Sequence, residues 1–450
     1  MMDIDRRRLL AGSAAAGTVS AAAITPATAS TPSFAFGIDA TQLGVRPGSP
    51  DDQSRALQRA IEKAAKARTP LLLPPGTYRA CDLALPPHAK IIGIRGATRI
   101  ELSESRSLLR ANGADNIGVF GLVLDGGGKP LSKGRGIVQF SQGDGIQIAE
   151  CEVVNSGGDG MVLEQIAGHV SASRVANVAG SAIFSRDGRG LVISTNSVRD
   201  AGNNGILVWR SAAGEDGTLV IDNRIEKIAA RAGGNGQNGN AINVFRAGNV
   251  IVRGNSIRGT AFSAVRGNAA SNLQILGNNC TDLGEVALYA EFGFEGAIIA
   301  NNIVDGAAIG ISVTNFNEGG RLGVVQGNLL RNLVRNRIDD GHGIGIGVEA
   351  DTAVTGNVIE NAPSIGIAVG YGKYLRDVAI TGNIVRSAGI GIGVSVAPGA
   401  GSALIANNLI AGAIRGAIVG SDGNKRLTGD LTKGGAERYA HLSIGPNSVN

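Results

Sequence analysis

A short motif recurs nine times between residues 195 and 409 of this 450-residue chain. It consists of a small residue in most copies, then Asn, any residue and an aliphatic residue, with Cys once in the last place. Successive Asn residues stand 23 to 32 residues apart, at Asn196, Asn223, Asn255, Asn278, Asn301, Asn328, Asn357, Asn383 and Asn407. That period fits one coil of a β-solenoid and is too short for a propeller blade. The repeat predicts the architecture and leaves the function open.

A second pattern, a small residue followed by Ile, any residue and Val, precedes the Asn motif in several coils. Because side chains alternate along a strand, the Ile and Val are expected inside and the middle residue outside. Degenerate coils start near Gly121, Cys151 and Arg174, so we predict an all-β, single-stranded parallel β-helix of about 12 coils. Examples of the pattern are 205–208, 241–244, 310–313, 345–348, 366–369 and 391–394.

Composition agrees with many short strands joined by tight turns. Gly accounts for 69 of 450 residues, hydrophobic residues for 43% and aromatic residues for only 4%. The net charge of +5 weakly favours an acidic partner. Because the Lys and Arg residues are not clustered into a patch, we expect no nucleic-acid partner.

The three cysteines are interpreted as packing residues rather than as ligands or a disulfide framework. Cys151 occupies the place that Asn takes in other coils, and Cys280 occupies the aliphatic place of the motif. Both are expected to be buried as small apolar side chains.

The first 29 residues have the pattern of an export signal. Arg6, Arg7 and Arg8 precede an Ala- and Gly-rich apolar stretch, which ends in the small-x-small site Ala27-Thr28-Ala29. Paired arginines ahead of a mildly hydrophobic segment are typical of the twin-arginine type, which exports folded proteins. We therefore expect the protein in the periplasm or outside the cell, without a transmembrane span in the mature chain.

Residues 30–90 are predicted to cap the solenoid, residues 91–420 to form the β-helix and residues 421–450 to form a C-terminal cap. In the first cap, Ser49 is predicted to precede a helix with Pro50 in its first turn. The apolar face of that helix would be Leu57, Ala60, Ile61, Ala64 and Ala65. An amphipathic helix at this place would cover the open end of the core.

The N-terminal cap carries a family resemblance. Gly44-Val45-Arg46-Pro47, the run 52–61 and the run 71–78, Leu-Leu-Leu-Pro-Pro-Gly-Thr-Tyr, are similar to the cap of pectate-lyase-like right-handed parallel β-helices. With the leader and the Asn repeats, the chain resembles the twin-arginine-translocated β-helix repeat proteins of bacteria. That resemblance implies a right-handed helix over roughly residues 37–420, and the group has no assigned activity.

Insertions fall on both sides of the Gly-Ile-x-Val strand, while the Asn corner stays short. Loops 231–239 and 335–342 come before the strand, and loops 211–217, 315–320 and 371–377 come after it. Such loops would wall a groove along one sheet, where binding groups concentrate.

Three aromatic residues, Trp209, Phe245 and Tyr289, are predicted to form one column in that groove. Flat rings there could stack against sugar faces, while Arg210, Asn243 and Arg246 bond hydroxyl or carboxylate groups. The alternative is an aromatic stack that packs a coil edge or an overlying loop.

Asp340 and His342 are the candidate acid and base. Gly341-His342-Gly343 looks like the histidine motif of polygalacturonases, but the two preceding strand starts carry Ala308-Ile309 and Glu285 instead of the required carboxylates. A lyase or epimerase would need a cation, such as Arg210, Arg246 or Arg266, and a base, for which His342 or Tyr289 qualifies. The Asp-Pro-His motif of mannuronan epimerases does not occur, and the acidic residues look scattered, without calcium-loop spacing. No metal site is predicted.

The sequence leaves three functional hypotheses. The preferred one is an exported protein that binds, and in one version modifies, an acidic polysaccharide in the groove. The second is a non-catalytic structural or assembly protein of the cell envelope that contacts another protein. The third is an enzyme with a bound cofactor, since twin-arginine export suits proteins that fold first, although no particular cofactor is predicted. Whether the chain is an enzyme, and its oligomeric state, stay open at this point.

Overall fold

The computed structural model describes residues 37–234, 236–334 and 343–450, which form a right-handed parallel β-helix of about thirteen turns. The predicted fold class is confirmed, with one turn more than expected. Each full turn contributes a strand to three parallel sheets, named here in chain order. Sheet 1 lies before the Asn corner, sheet 2 follows that corner, and sheet 3 carries the Gly-Ile-x-Val strands.

Parallel pairing runs along each sheet from the first turns to the last. Sheet 1 contains the strands Ile38–Asp39, Leu71–Leu72, Lys90–Ile92, Gly118–Phe120, Val192–Ser194, Leu219–Ile221, Ile251–Arg253, Leu273–Leu276, Glu295–Ala300, Arg321–Gln326, Thr352–Thr355, Val378–Thr381, Ala403–Ala406 and Leu442–Ile444. Sheet 2 contains Gly76–Ala80, Thr98–Leu102, Val123–Asp125, Glu152–Ser156, Arg174–Val178, Ser197–Ala201, Arg224–Ile228, Ser256–Thr260, Asn279–Leu283, Ile303–Asp305, Leu329–Arg331, Leu409–Ala411 and Ser448–Val449. Sheet 3 contains Leu83–Ala84, Leu109–Asn112, Ser181–Arg186, Asn204–Glu215, Ile242–Gly248, Val265–Asn268, Val286–Glu291, Ile309–Val313, Ile344–Val348 and Ile418–Asp422.

Four long strands turn a corner and belong to two sheets. Gly136–Ala149 and Asp159–Ser171 pass from sheet 3 into sheet 1, and Val358–Val369 and Ile384–Ser395 pass from sheet 2 into sheet 3. The antiparallel strand Lys425–Asp430 closes sheet 3. Short 3-10 helices occur at Ala40–Leu43, Phe316–Glu318, Leu431–Lys433 and Ala436–Arg438.

The core is a set of stacked aliphatic columns. Ile206, Ile311 and Ile367 belong to one inward column of sheet 3, and each is fully buried. Cys151 and Cys280 are buried free thiols in the Asn and aliphatic places predicted for them. Burial raises the pKa of the Cys280 thiol to about 12, so it packs as a neutral apolar group.

Buried asparagines form a hydrogen-bonded ladder along the corner between sheets 1 and 2. In each step, the amide oxygen of one Asn accepts from the backbone N–H and from the side-chain amide of the Asn one turn earlier. Asn223 Oδ1, for example, lies 2.9 Å from Asn196 N and 3.1 Å from Asn196 Nδ2. Ser173 and Cys151 continue this column toward the N-terminus. The ladder residues are Asn196, Asn223, Asn255, Asn278, Asn302, Asn328, Asn357, Asn383, Asn408 and Asn447.

Two of the nine Asn residues assigned to the sequence motif are one residue away from the Asn that joins the ladder. Asn301 and Asn407 lie outside the ladder, each with a φ of 59°, and their neighbours Asn302 and Asn408 occupy it. In these coils an Asn-Asn doublet supplies both the left-handed corner residue, which is Gly in several other coils, and the ladder amide. An aliphatic residue two places after either Asn made both registers agree with the motif.

The predicted cap boundaries also differ from the structure. The helix spans Ser54–Lys66 and buries the five predicted apolar residues, but it starts five residues after Ser49. The side chain of Gln53 bonds both the N–H and the carbonyl of Arg46 at 2.7 and 2.8 Å, which holds the preceding segment in a turn. Strands before residue 91 and after residue 420 already pair with the sheets. Most of these strands are too short to show periodicity in the sequence.

The Asn-Asn doublet provides a matched test of the ladder. Asn302→Ala removes the acceptor for the N–H and amide of Asn278, at 2.9 and 3.0 Å. Leaving these buried donors unpaired is expected to lower the free energy of unfolding by about 1–3 kcal/mol. Asn301→Gly keeps the left-handed corner and is expected to change it little. Urea unfolding followed by circular dichroism measures both variants. Equal losses in the two would contradict this assignment.

Candidate functional site

Two of the three predicted aromatic residues share one column of sheet 3, and the third lies in another column. Trp209 lies opposite Phe245 in adjacent coils of sheet 3, as predicted. Tyr289 instead shares a column with Arg266 and Asn243, so its predicted position is wrong. The inward pair of its strand is Leu288 and Ala290.

The rings do not form a flat platform. Trp209 and Phe245 have ring centroids 5.4 Å apart at an interplanar angle of 56°. Phe184, from the coil before, meets Trp209 edge-on at 5.4 Å and 78°. The three rings therefore pack against one another, and Trp209 and Phe245 remain partly exposed. These contacts agree in part with the alternative prediction, in which the aromatic residues pack against one another at a coil edge.

Two arginines lie beside this aromatic cluster. The Arg246 guanidinium stands 4.8 Å from the Phe245 ring centroid, and Arg246 Nη1 is 3.5 Å from the carbonyl oxygen of Ser211. Arg210 Nη1 is 3.5 Å from the carbonyl oxygen of Gly188. Neither arginine forms an ion pair with any carboxylate in the described ranges. Arg246 is exposed, so its charge is available at the surface.

A cavity of about 280 Å³ opens beside the rings. One side is formed by the loop before the strand, through Gly236 and Gln237, and another by Phe292, which follows the strand. The floor consists of outward side chains from three coils of sheet 3. The full lining is Trp209, Gly236, Gln237, Asn243, Phe245, Arg266, Asn268 and Phe292. Of the predicted loops, 231–239 therefore lines the cavity, whereas Phe292 lies outside the loops predicted after the strand.

Arg266 is the charged centre of the cavity floor. Its Nε donates to Glu291 Oε1 at 2.6 Å, and its Nη1 lies 3.8 Å from Glu285 Oε2. Asn268 Nδ2 also donates to Glu291 Oε1, at 2.9 Å. The side chains of Arg266 and Glu291 are 10% and 3% exposed. Glu285 and Glu291 therefore both lie at the same guanidinium.

Gly236 allows the loop to lie directly on Arg266. Its φ is 135°, and a Cβ built on it would come within 1.4 Å of Arg266 Nη1. A side chain at this position would displace either the loop or the guanidinium. The loop and the charged floor are therefore one packed unit.

Burial raises the pKa values of two groups beside Arg266. Burial raises the pKa of Glu285, Arg266 opposes that rise and Glu291 adds to it. Burial and the charge of Glu291 raise the pKa of the Tyr289 phenol to about 12. Tyr289 is therefore protonated at neutral pH and suits a hydrogen-bond donor better than the base considered for it.

Several buried polar atoms of the cavity lining make no hydrogen bond. Trp209 Nε1, Asn243 Oδ1 and Arg266 Nη1 are buried and make no hydrogen bond within the described part of the chain. Buried polar atoms are normally paired with protein or with water. Three such atoms at one cavity indicate a site that can accept a polar ligand or water.

Two of the predicted site residues, Asp340 and His342, lie outside the described residues.

Loops 315–320 and 371–377 lie on the same side of sheet 3 and are held by Asp351. This carboxylate binds Arg376 at 2.9 and 2.7 Å and Arg321 at 3.1 Å, and Arg376 Cζ stands 4.4 Å from the Phe316 ring centroid. The hydrogen bond from Arg376 contributes most to lowering the pKa of Asp351.

Sequence patterns alone could not assemble the Arg266 cluster. Arg266 was considered only as one of three candidate cations, and its partners come from the next coil. The available signal is the register, since Asn268 and Glu291 stand opposite each other in adjacent strands.

Two other features are absent from the residues that the structure describes. No helix there is long and apolar enough to cross a membrane. Within the same ranges, no group of three or more His, Cys, Asp or Glu side chains could hold a metal ion.

Comparison with known proteins agrees with the fold. The family model described as the right handed beta helix region matches residues 167–325 and 211–374. This match covers less than half of the chain and agrees with the right-handed parallel β-helix of the structure. A comparison with curated proteins by sequence finds no match.

Solved structures with similar folds have low sequence identity to this chain. The A-module of the mannuronan C-5 epimerase AlgE4 of Azotobacter vinelandii is 17% identical, with a TM-score of 0.51 over 70% of this chain and 96% of that one. The catalytic unit of a GH87 α-1,3-glucanase of Streptomyces thermodiastaticus has 16% identity and a TM-score of 0.49, over 96% and 70%. The surface adhesin PfbA of Streptococcus pneumoniae has 14% identity and a TM-score of 0.47, over 87% and 94%.

Replacing each of the two glutamates at Arg266 by glutamine is expected to change the free energy of unfolding in opposite directions. Glu291→Gln removes the close partner of a buried guanidinium and should lower the free energy of unfolding by about 3–5 kcal/mol at pH 7. Glu285→Gln removes a carboxylate whose raised pKa makes its ionised form unfavourable in the folded state. That variant should be more stable than the parent at pH 7.

The pH dependence provides the control. Because the folded pKa of Glu285 is raised, its ionisation costs stability as the pH rises above the unfolded value, and the cost disappears below it. The advantage of Glu285→Gln should therefore vanish near pH 4, as thermal unfolding across pH would show. A variant less stable than the parent at every pH would refute this account.

Proposed function

We propose that this protein binds an acidic polysaccharide in the groove over sheet 3. The observation that carries the proposal is the unpaired, exposed guanidinium of Arg246, held over Phe245 beside the cavity. A bound chain would place a carboxylate at this charge, where bidentate hydrogen bonding is available.

The cavity supplies contacts suited to a sugar unit. Its volume of about 280 Å³ is just below the usual range of small-molecule sites, about 300–1,000 Å³. Trp209 and Phe245 offer apolar surface to the C–H groups of a sugar. Asn243 and Trp209 offer an acceptor and a donor to its hydroxyl groups, and both atoms lack protein partners.

Arg266 has a structural role in this proposal. Its charge is already balanced by Glu291 and Glu285, so the anion is bound at the rim by Arg246, with Arg210 nearby. The outer cations determine the preference for acidic chains, and the buried cluster holds the floor in shape.

Binding without catalysis fits the described residues best. Tyr289 stays protonated at neutral pH, so it does not supply the base of a lyase or epimerase, and Arg266 is already occupied by two glutamates. Such activity would require the segment that contains Asp340 and His342. The A. vinelandii epimerase shares the fold with this chain, and the proposal rests on the site rather than on that likeness.

The proposal includes the leader. Arg6–Arg8 and the apolar stretch after them would direct the folded protein to the periplasm or beyond, where polysaccharides of the cell envelope are accessible. An envelope assembly protein remains the second candidate and makes no use of Arg246 or of the cavity.

Affinity electrophoresis in gels that contain polygalacturonate or neutral dextran tests this function. The parent should be retarded by polygalacturonate, and Arg246→Gln should raise the dissociation constant about tenfold, because one rim charge is lost. Trp209→Ala should weaken binding by a similar factor through lost apolar contact.

Arg224→Gln is the matched control. Arg224 is also exposed and outside any ion pair in the described ranges, but it lies on sheet 2, so its removal changes the net charge equally. It should leave retardation nearly unchanged. No retardation of the parent, or the same loss in Arg224→Gln and Arg246→Gln, would rule out the groove as the site.

A further inference from the structure

The outer face of sheet 2 carries a continuous row of aliphatic side chains in its C-terminal half. The row is formed by consecutive coils that stand directly opposite one another in register. Its members are Ile303, Leu329, Val358, Ile384 and Leu409. Ile303, Ile384 and Leu409 are 40%, 37% and 37% exposed. Each points away from the core, where a polar residue is the usual choice.

A row of alternating charges runs beside the aliphatic row. The second outward position of the same strands holds Asp305, Arg331, Glu360 and Arg386 in consecutive coils. Arg331 Nη2 lies 2.8 Å from Asp305 Oδ2, and Arg386 Nη1 lies 3.9 Å from Glu360 Oε1. The signs therefore alternate along the rod while the side chains stay accessible.

The order of charges is self-complementary under a two-fold rotation. An axis parallel to the strands, between the coils of Leu329 and Val358, reverses the order of coils and keeps the order within each strand. Arg331 of one copy then faces Glu360 of the other, and Asp305 faces Arg386. At the same time, Ile303 faces Ile384 and Leu329 faces Val358 across the axis, at a spacing of about 4.8 Å per coil, while Leu409 faces Asn279.

We propose that this face of sheet 2 is the contact surface of an antiparallel homodimer. A second copy fits because it carries the same coil spacing and the complementary order of charges, as an isologous interface requires. Sheet 1 also has outward aliphatic residues, but the next outward column on that sheet lacks alternating charge. The coils that carry Arg331 and Glu360 on sheet 2 carry Gln326 and Thr355 in that column of sheet 1. The groove over sheet 3 is not part of the surface.

The interface is small. The five aliphatic coils extend over about 19 Å at the usual strand spacing, so the area falls near the lower limit for specific complexes. We therefore expect a dimer that forms in the micromolar range and dissociates on dilution.

Sedimentation equilibrium of the purified chain, from about 1 to 300 µM, measures this association. Ile303→Lys places a charge in the aliphatic row and should raise the dimer dissociation constant at least about tenfold. Ile298→Lys is the matched control, since Ile298 and Ile303 are both 40% exposed and Ile298 lies on sheet 1. It should dimerise like the parent, and circular dichroism checks that both variants fold.

A charge exchange tests the antiparallel arrangement. Arg331→Glu would bring two acidic residues together across the axis and should weaken the dimer to a similar extent. Adding Glu360→Arg restores opposite charges across the axis and should recover dimerisation. A parent that stays monomeric throughout the concentration range would overturn the proposal, as would equal effects of Ile303→Lys and Ile298→Lys. Failure of the double variant to recover would overturn the antiparallel order.

Discussion

Hydrogen bonding from each coil to the next is the constraint on which the rest of this structure depends. Backbone groups and the buried asparagine amides bond along the rod, so every coil must repeat the corner of its neighbour. Because each amide both donates and accepts, an interior member such as Asn255 serves two neighbours at once. This corner is therefore short and uniform, and variation is confined to the other two corners.

The two proposed binding surfaces follow from which corners of the coil accept insertions. The insertions flank sheet 3, and one of them brings Gly236 onto Arg266 beside the aromatic rings. The outer face of sheet 2, which lies next to the ladder, presents regular rows of side chains instead. A regular surface suits contact with another regular surface, whereas a walled groove suits a flexible chain. The two proposed interactions thus use different consequences of one repeat.

Buried charge at the cavity floor shows how neighbouring coils build a site. Arg266 and Glu291 are separated by 25 residues in the chain but come from adjacent coils. Desolvation makes an unpaired charge costly there, so the guanidinium is held between two carboxylates. The result is a rigid floor, with the freely available positive charge left to Arg246 at the rim.

The sequence by itself determined the β-helix, the inward columns of Ile206, Ile311 and Ile367, the apolar face of the cap helix and the sides of sheet 3 that carry loops. These follow from periodicity, which alternation and helical spacing impose locally. Tertiary structure decided which Asn of each doublet enters the ladder, where Tyr289 stands and that Glu285 and Glu291 meet Arg266. These depend on register between coils, and a shift of one residue turns a side chain from the core to the surface. Local pattern could not distinguish such registers, because both choices at Asn301 and Asn302 place an aliphatic residue two positions later.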